Sequence, residues 1–283
     1  MKKIAVLNDI SGLGKCSLTA AIPVISVMGV QACPLPTAIL SAQTGFPSYY
    51  YDDYTDHMEE IMKEWKKMNF RPDGIYTGFL AGAAQADRVL EFLGLFGSRD
   101  VKVLTDPILG DNGEEYPIYT EALCEKMRCL AERASVITPN LTEALLLLYG
   151  REKMHQKWAQ LALKGTGEFK EEIEQIGEAL VKTFQTEAVI TGIDFHTSRE
   201  MANLLVNQKG YSWVTAEKEG GSYSGTGDLF ASILSAGMVK GTDTLESIKK
   251  AVHFISRAIH DTVLEGTDRN EGVCFEKHLG ELL

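Results

Sequence analysis

The sequence predicts an α/β protein whose core is a mostly parallel sheet. Short apolar runs of strand length alternate with segments of about 10–15 residues that have helical spacing, which is the pattern of βαβ units. No internal repeat, low-complexity tract or linker rich in proline and glycine interrupts this alternation. We therefore expect one domain over residues 1–283.

The first half of the chain predicts three successive strand–helix steps. Residues 3–7 form an apolar run that ends in polar residues and glycine, so we predict a strand and then a loop at 8–14. Ser17 is suited to cap the helix that follows, and Pro23 is expected to kink it. The apolar spacing predicts helices at 17–28, 52–68 and 85–96, and strands at 30–40, 74–76 and 101–104.

The second half continues the alternation up to a hairpin and two final helices. Residues 204–206 and 213–215 are predicted to form a hairpin around Lys209-Gly210. Residues 151–170 are expected to be a surface insertion. The remaining predictions are helices at 121–133, 141–148, 171–184, 228–238 and 245–260, and strands at 136–137 and 188–190.

The composition excludes several classes of partner. Hydrophobic residues make up 45% of the chain and charged residues 24%, close to the average for globular proteins. With 28 basic and 39 acidic residues, the net charge of −11 repels nucleic acids and anionic membranes. We expect neither as a partner, and a bound phosphate would have to be held locally, by backbone amides or a metal ion.

The cysteines and the amino terminus predict a cytoplasmic location. Five cysteines without a CxxC pair indicate free thiols in a reducing compartment. After Met1, only four apolar residues precede Asn8, which is too short a run for a signal peptide.

An uncharged stretch at residues 16–51 needs its own explanation. Prolines and glycines interrupt it, whereas a membrane-spanning helix needs about 20 apolar residues in a row. We expect a helix and a strand buried on both faces, with part of the stretch in a homodimer contact.

The loops after the predicted strands are the expected binding edge, because ligands of parallel sheets lie beyond the carboxyl ends of the strands. Four such loops are at 8–14, 106–112, 138–143 and 191–194, and a glycine-rich fifth at 220–227 precedes a helix.

Two nucleotide-binding motifs are incomplete at Gly12 and Gly14. A P-loop would need a glycine at position 9 and a serine or threonine after Lys15, but Asp9 and Cys16 stand there. A dinucleotide fingerprint would need a third glycine and an acidic residue about 20 residues further on, and both are missing. This loop is therefore expected at the rim of a substrate site. An oxidoreductase and a non-catalytic nucleotide-binding module remain open as rivals.

The segment Gly225-Thr226-Gly227-Asp228 predicts an anion site at the start of a helix. Glycines allow close approach of a ligand to the backbone, and the first amides of a helix attract phosphate. Asp228 has two open interpretations, as a cap of this helix or as the base that removes a proton from an attacking hydroxyl.

Five motifs in the right order resemble those of one kinase family. GTGDLFAS at 225–232 resembles the anion-hole and catalytic-base motif of the ribokinase superfamily, and the chain as a whole resembles its pyridoxal (pyridoxine, pyridoxamine) kinases. The other four are LSAQTGF at 40–46, TGF at 77–79, DPILGD at 106–111 and TPNLTE at 138–143, which are similar to FSNHTGY, TGY, DPVLGD and TPNxxE.

Three departures concern the substrate rather than the phosphoryl transfer. The loop at 8–14 is closer to the DPSGGAG loop of hydroxymethylpyrimidine kinases than to the SHVxxG loop of pyridoxal kinases. Gln43 replaces a histidine of the family and Phe79 replaces a tyrosine. A hydroxymethylpyrimidine kinase therefore remains the nearest alternative.

The resemblance implies a three-layer α/β/α sandwich without a large lid, a homodimer, and phosphorylation of the 5′-hydroxymethyl group of a B6 vitamer. The implied cofactors are ATP and Mg²⁺, with a monovalent cation such as K⁺ as a further candidate. The implied roles are general base for Asp228; anion hole for Gly225, Thr226 and Gly227; metal binding for Asp106 and Glu143; nucleotide binding for Asp111, Asn140, Thr191 and Lys218; and substrate binding for Asp9, Ser11, Gln43, Thr44 and Phe79.

Overall fold

The computed structural model describes residues 1–195 and 199–283, and it has the expected mixed α/β fold with a mostly parallel central sheet flanked by helices. The strands are β1 Lys3–Ser11, β2 Gln31–Leu40, β3 Tyr51–Asp53, β4 Gly74–Thr77, β5 Lys102–Thr105, β6 Gly110–Asp111, β7 Glu114–Glu115, β8 Val136–Ile137, β9 Glu187–Asp194, β10 Glu200–Asn207 and β11 Gly210–Glu217. The helices are α1 Ser17–Val27, α2 Thr55–Lys67, α3 Ala83–Phe96, α4 Glu121–Ala131, α5 Leu141–Tyr149, α6 Arg151–Leu161, α7 Thr166–Phe184, α8 Thr226–Lys240 and α9 Thr244–Glu265, followed by a 3₁₀ helix at Glu276–Leu282.

The chain divides into two compact units. The first combines Met1–Val103 with Glu219–Leu283, and the second is Leu104–Lys218. A single domain over the whole chain stays a prediction.

In the first unit the strand order is β4-β1-β2-β3, with β1 parallel to both β4 and β2 and with β3 antiparallel to β2. All residues of β4 and most of β1 are buried. Because successive strand residues point to opposite faces, helices must cover both sides of these strands. Helices α1 and α8 contact β1, α9 packs on α8, and α2 contacts β2 and α3. Between β2 and α2 the structure has only the short strand β3, in place of a large lid.

In the second unit β5, β8 and β9 are parallel, and β10 and β11 extend them as an antiparallel hairpin. Helix α7 packs on β9 and β10, and α5 contacts β9, α4, α6 and α7. The predicted hairpin is confirmed and longer than expected. The expected insertion at 151–170 consists of α6 and the start of α7, and Met154 and Leu161 are buried.

Several predicted ends of strands and helices are wrong, because polar residues extend the buried strands and helices beyond their apolar runs. Strand β1 runs through Asn8 and Asp9 to Ser11, and β9 runs through the predicted loop at 191–194. Helix α8 begins at Thr226, two residues early. The residue that caps α1 is Cys16, while Ser17 lies inside the helix with φ of +49° and directs its hydroxyl elsewhere. Pro23 is inside α1 as expected.

No helix in the described part of the chain is long and apolar enough to cross a membrane.

Candidate active site

The amino terminus of α8 has backbone amides that no capping side chain occupies. Gly225 precedes the helix with φ of +84°, and a Cβ on it would lie 1.9 Å from the carbonyl oxygen of Lys15. Only glycine fits there, since this φ disfavours side chains and the close neighbour is backbone. Gly227 is exposed and Thr226 half-buried. This helix end can therefore accept an anion.

Asp228 lies in the first turn of α8 but binds other elements. Its side chain is buried, and Oδ1 accepts hydrogen bonds from Asn8 Nδ2 (3.0 Å) and the Tyr76 hydroxyl (3.3 Å). The backbone N–H of Ser17 is a further donor. Burial raises the pKa of Asp228, and these donors oppose that rise. These contacts do not match the interpretation of Asp228 as a helix cap.

Asn8 connects Asp228 to the segment at 77–79. The amide oxygen of Asn8 accepts the backbone N–H groups of Asp9 (3.0 Å) and Phe79 (2.9 Å), so its Nδ2 must face Asp228. Gly78 packs on this amide, because a Cβ there would lie 2.4 Å from Nδ2. Neither Asn8 nor Tyr76 was predicted as a site residue. The available signal was Asn8 itself, the first polar residue after a buried apolar run.

Two predicted substrate residues, Asp9 and Ser11, lie in a buried network beside Asp228. Asp9 accepts hydrogen bonds from the hydroxyls of Ser11 (3.0 Å) and Ser17 (2.5 Å). Burial raises the pKa of Asp9 to about 6, and the charge of Asp228 contributes to the rise. The two carboxylates are therefore electrostatically coupled.

Gln43, predicted to contact substrate, is bound by the protein itself. Its Nε2 lies 3.2 Å from Ser224 Oγ and 3.1 Å from the carbonyl oxygen of Asn270, and its Oε1 accepts the N–H of Gly45 at 2.7 Å. Thr44 beside it is exposed. Phe79 is half-buried, and its backbone joins the Asn8 network.

In the second unit, Glu143 and Asn140 cap each other at the start of α5. The Asn140 side chain accepts the N–H of Glu143 at 3.0 Å, and Glu143 Oε2 accepts the N–H of Asn140 at 2.9 Å. Glu143 Oε1 also accepts the N–H of Leu109 at 3.1 Å. Burial raises the pKa of Glu143 well above its usual value, and the charge of Asp106 adds to this.

The residues predicted to bind metal fit a hard cation. Asp106 is buried and accepts a hydrogen bond from Thr138 Oγ1 at 2.9 Å. The repulsion between Asp106 and Glu143 is the kind that a divalent cation offsets, and Mg²⁺ prefers carboxylates together with retained water. Among residues 1–195 and 199–283, no three His, Cys, Asp or Glu side chains group to hold a metal, so a cation at Asp106 and Glu143 would need water or a ligand to complete its coordination.

The predicted nucleotide residues lie near a small cavity in the second unit. It has a volume of about 90 Å³, and its lining includes Asp111, Asn140 and Asp194. Thr191 pairs with Asn140 through a backbone bridge. Lys218 is exposed and binds Asp194 through its ammonium group. The four predicted nucleotide residues therefore all lie in the second unit, close to strand β9. They are Asp111, Asn140, Thr191 and Lys218.

The fold is that of the ribokinase-like small-molecule kinases, as the sequence motifs indicated. Residues 14–272 match the phosphomethylpyrimidine kinase family, and the chain belongs to that family. It is therefore a kinase, an enzyme that transfers phosphoryl groups.

Three relatives illustrate the range of the similarity. A proposed phosphomethylpyrimidine kinase of Bacteroides thetaiotaomicron, solved in an orthorhombic form with pyridoxal, is 36% identical with a TM-score of 0.90, over 99% of this chain and 95% of that one. A proposed pyridoxal kinase of Schizosaccharomyces pombe is 24% identical over 98% of this chain and 89% of its own. The hydroxymethylpyrimidine/phosphomethylpyrimidine kinase of Bacillus subtilis is 24% identical over 69% of this chain and 66% of its own.

Proposed function

We propose that the chain transfers the γ-phosphoryl group of ATP to the 5′-hydroxymethyl group of a B6 vitamer, which is pyridoxal, pyridoxine or pyridoxamine. One observation carries the proposal: the buried, hydrogen-bonded carboxylate of Asp228 lies one turn or less from the uncapped amides that begin α8. A base beside an anion-binding helix end is what phosphoryl transfer to an alcohol needs.

Asp228 is the general base in this proposal. It takes the proton of the substrate hydroxyl while the hydroxyl oxygen bonds to the γ-phosphorus. The bond from that phosphorus to the bridging oxygen breaks, and ADP leaves. Its raised pKa makes Asp228 a stronger proton acceptor than an exposed carboxylate. The backbone amides of Gly225, Thr226 and Gly227 form the anion hole for the transferred group.

Asp106 and Glu143 hold Mg²⁺ in this proposal, with Asn140 acting through water. When bound, the ion offsets the charge of the ATP phosphates. Support comes from the electrostatic repulsion between these two buried carboxylates. A monovalent cation such as K⁺ is a further cofactor in this proposal. Its only support is the resemblance of the sequence motifs to those of pyridoxal kinases.

The remaining assignments follow the motifs. The proposed role of Asp9 and Ser11 in substrate binding is supported by their position in the hydrogen-bond network around Asp228. That network places polar groups beside the base. The substrate residues are Asp9, Ser11, Gln43, Thr44 and Phe79, and the nucleotide residues are Asp111, Asn140, Thr191 and Lys218.

The second candidate is a hydroxymethylpyrimidine kinase. The family match and the B. subtilis relative favour it, together with the loop at 8–14. The pyridoxal in the B. thetaiotaomicron structure favours the first candidate. Both reactions phosphorylate a hydroxymethyl group on a heteroaromatic ring, so the same base and anion hole serve either one.

A coupled assay of ADP release separates the two candidates. Pyridoxal, pyridoxine, pyridoxamine and hydroxymethylpyrimidine are each tested with ATP and Mg²⁺, and Asp228→Asn is the control for contaminating kinases. We expect kcat/KM for at least one vitamer to exceed that for hydroxymethylpyrimidine by about tenfold or more. A preference for hydroxymethylpyrimidine establishes the alternative, and no ADP release with any acceptor refutes both.

A further inference from the structure

The hydrogen bonds to Asp228 determine which of its oxygens can react. A carboxylate has about four acceptor sites, two on each oxygen. Asn8 Nδ2 and the Tyr76 hydroxyl both donate to Oδ1, which fills that oxygen. The Ser17 N–H is a third protein donor to the carboxylate. Because Oδ1 is filled, a ligand hydroxyl must approach Oδ2.

Neither donor to Oδ1 can readily turn away. The amide of Asn8 is fixed in one orientation by the two backbone N–H groups that bind its oxygen, and the residue is fully buried. Tyr76 is also fully buried, in the four-residue strand β4. Both donors are therefore in place before any ligand arrives.

We infer that Asn8 and Tyr76 are positioning residues for phosphoryl transfer, which occupy Oδ1 of Asp228 and thereby present Oδ2, ionised, to the acceptor hydroxyl. The inference rests on the proposed role of Asp228 as the general base. Without these donors, the cost of burying the carboxylate charge would favour its protonated form, which cannot accept a proton.

Three titratable groups face Asp228 from the surrounding elements: Asp9 of β1, Cys16 before α1, and Tyr76 of β4. Burial raises the pKa of Cys16 to about 12, so its thiol stays neutral in the physiological range. Asp9 has a pKa of about 6 and contributes to any pH profile near neutrality. The variants are therefore compared in the native chain and again in an Asp9→Asn background.

Two substitutions test the inference in graded steps. Tyr76→Phe keeps the ring in the core and removes only the hydroxyl. Asn8→Asp keeps the side-chain shape but puts a second carboxylate oxygen about 3.0 Å from Asp228 Oδ1, the present Nδ2 distance, where the two acids must share a proton. The control is Ser247→Ala, which also removes a buried hydroxyl, one with no hydrogen-bond partner among the described residues.

The measurements are the pH dependence of kcat/KM and a direct ¹³C NMR titration of the Asp228 carboxyl carbon, assigned with Asp228→Asn. In Tyr76→Phe we expect the pKa of Asp228 and the acid limb of the profile to rise together by about one pH unit. In Asn8→Asp we expect kcat at pH 7 to fall about a hundredfold or more. Ser247→Ala should move neither quantity.

A folded Tyr76→Phe protein with an unchanged Asp228 titration and an unchanged acid limb overturns the inference, even if Asn8→Asp fails to fold. Thermal melting of each variant establishes whether it is folded. If the native protein phosphorylates none of the acceptors, the proposed function fails. The NMR titration still decides whether Asn8 and Tyr76 control the charge of Asp228.

Discussion

Asn140 and Glu143 hold each other in place: each side chain accepts the other residue's backbone N–H group, at 3.0 and 2.9 Å. This reciprocal pair begins α5 and fixes the Glu143 carboxylate in a buried position beside the charge of Asp106. The same carboxylate thus serves both the folding of α5 and the proposed binding of Mg²⁺.

Glu143→Gln should separate these two roles. A glutamine has one acceptor oxygen for two backbone donors, so we expect the free energy of unfolding to fall by about 1 kcal/mol. Loss of the charge should raise the Mg²⁺ concentration for half-maximal activity severalfold. Urea unfolding and Mg²⁺ titrations of turnover measure the two effects. Full activity of the native enzyme in excess chelator would contradict the metal assignment.

Asp228→Asn should remove the chemistry and keep the fold. We expect kcat to fall by about 10²–10⁴-fold, the usual contribution of a general base. ATP affinity should change little because the amides of Gly225–Gly227 remain. The melting temperature should hold or rise, since a buried charge is gone. A variant with kcat within a few-fold of the native value would remove Asp228 from the mechanism.

Asp9 should make the protein less stable at neutral pH than in mild acid. Folding raises the pKa of Asp9 from 3.8 to about 6, so between these values the folded chain binds more protons there than the unfolded chain. The contribution of Asp9 to the free energy of unfolding therefore falls as pH rises through this range, by about 3 kcal/mol in total. We expect Asp9→Asn to be more stable than the native chain by about 3 kcal/mol at pH 7.5, and hardly at all below pH 4. Urea unfolding across this pH range checks it, and a gain independent of pH would refute the explanation.

Gly225 and Gly227 should respond differently to alanine. In Gly225→Ala the new Cβ meets the Lys15 carbonyl oxygen at a positive φ, so we expect a loss of several kcal/mol in unfolding free energy. Around Gly227 no atom lies within 4 Å of such a Cβ, and stability should change by about 0.5 kcal/mol or less. The KM for ATP should rise in Gly227→Ala because the methyl group crowds the anion hole. Equal melting temperatures for both variants would contradict this division of roles.

The chain should be a homodimer, with a sedimentation mass of twice the 31.2 kDa of one chain. Strand β3 is an edge strand of the first unit, and Tyr50 before it is 67% exposed. An unprotected edge of this kind favours association. We expect Tyr50→Asp to shift the mass toward the monomer, whereas Leu163→Asp, at an exposed residue in the turn between α6 and α7, should not. A native mass near 31.2 kDa counts against the dimer.

The sequence was sufficient to predict the alternation of strands and helices, since apolar runs mark buried strands. It did not predict the residues at which the strands and helices begin and end. Asn8 and Asp9 look like a loop in sequence, yet they continue β1 because their side chains find buried hydrogen-bond partners. Strands of two or three residues, such as β3 and β6, are too short to show any periodicity.

The part of the candidate site that is formed by consecutive residues could be predicted from the sequence. The part that is formed by residues far apart in the chain could not. Asp228 and its glycines are contiguous, so the sequence alone predicts a carboxylate beside an anion site. The partners Asn8 and Tyr76 are 220 and 152 residues away from Asp228. No spacing rule links positions so far apart, and only the folded chain shows that they share one carboxylate oxygen.

Gln43 binds Ser224, Asn270 and Gly45 at once, and a Cβ on Gly45 would lie 2.5 Å from the Asn270 side-chain oxygen. A histidine at position 43, as in the pattern of pyridoxal kinases, could not satisfy these three partners. The effects of substitutions at 43 and 270 are therefore coupled rather than additive. A chain that changes Gln43 alone leaves the side chains of Ser224 and Asn270 without this hydrogen-bond partner. Such epistasis would keep this lineage on its own version of the loop while the rest of the chain diverges.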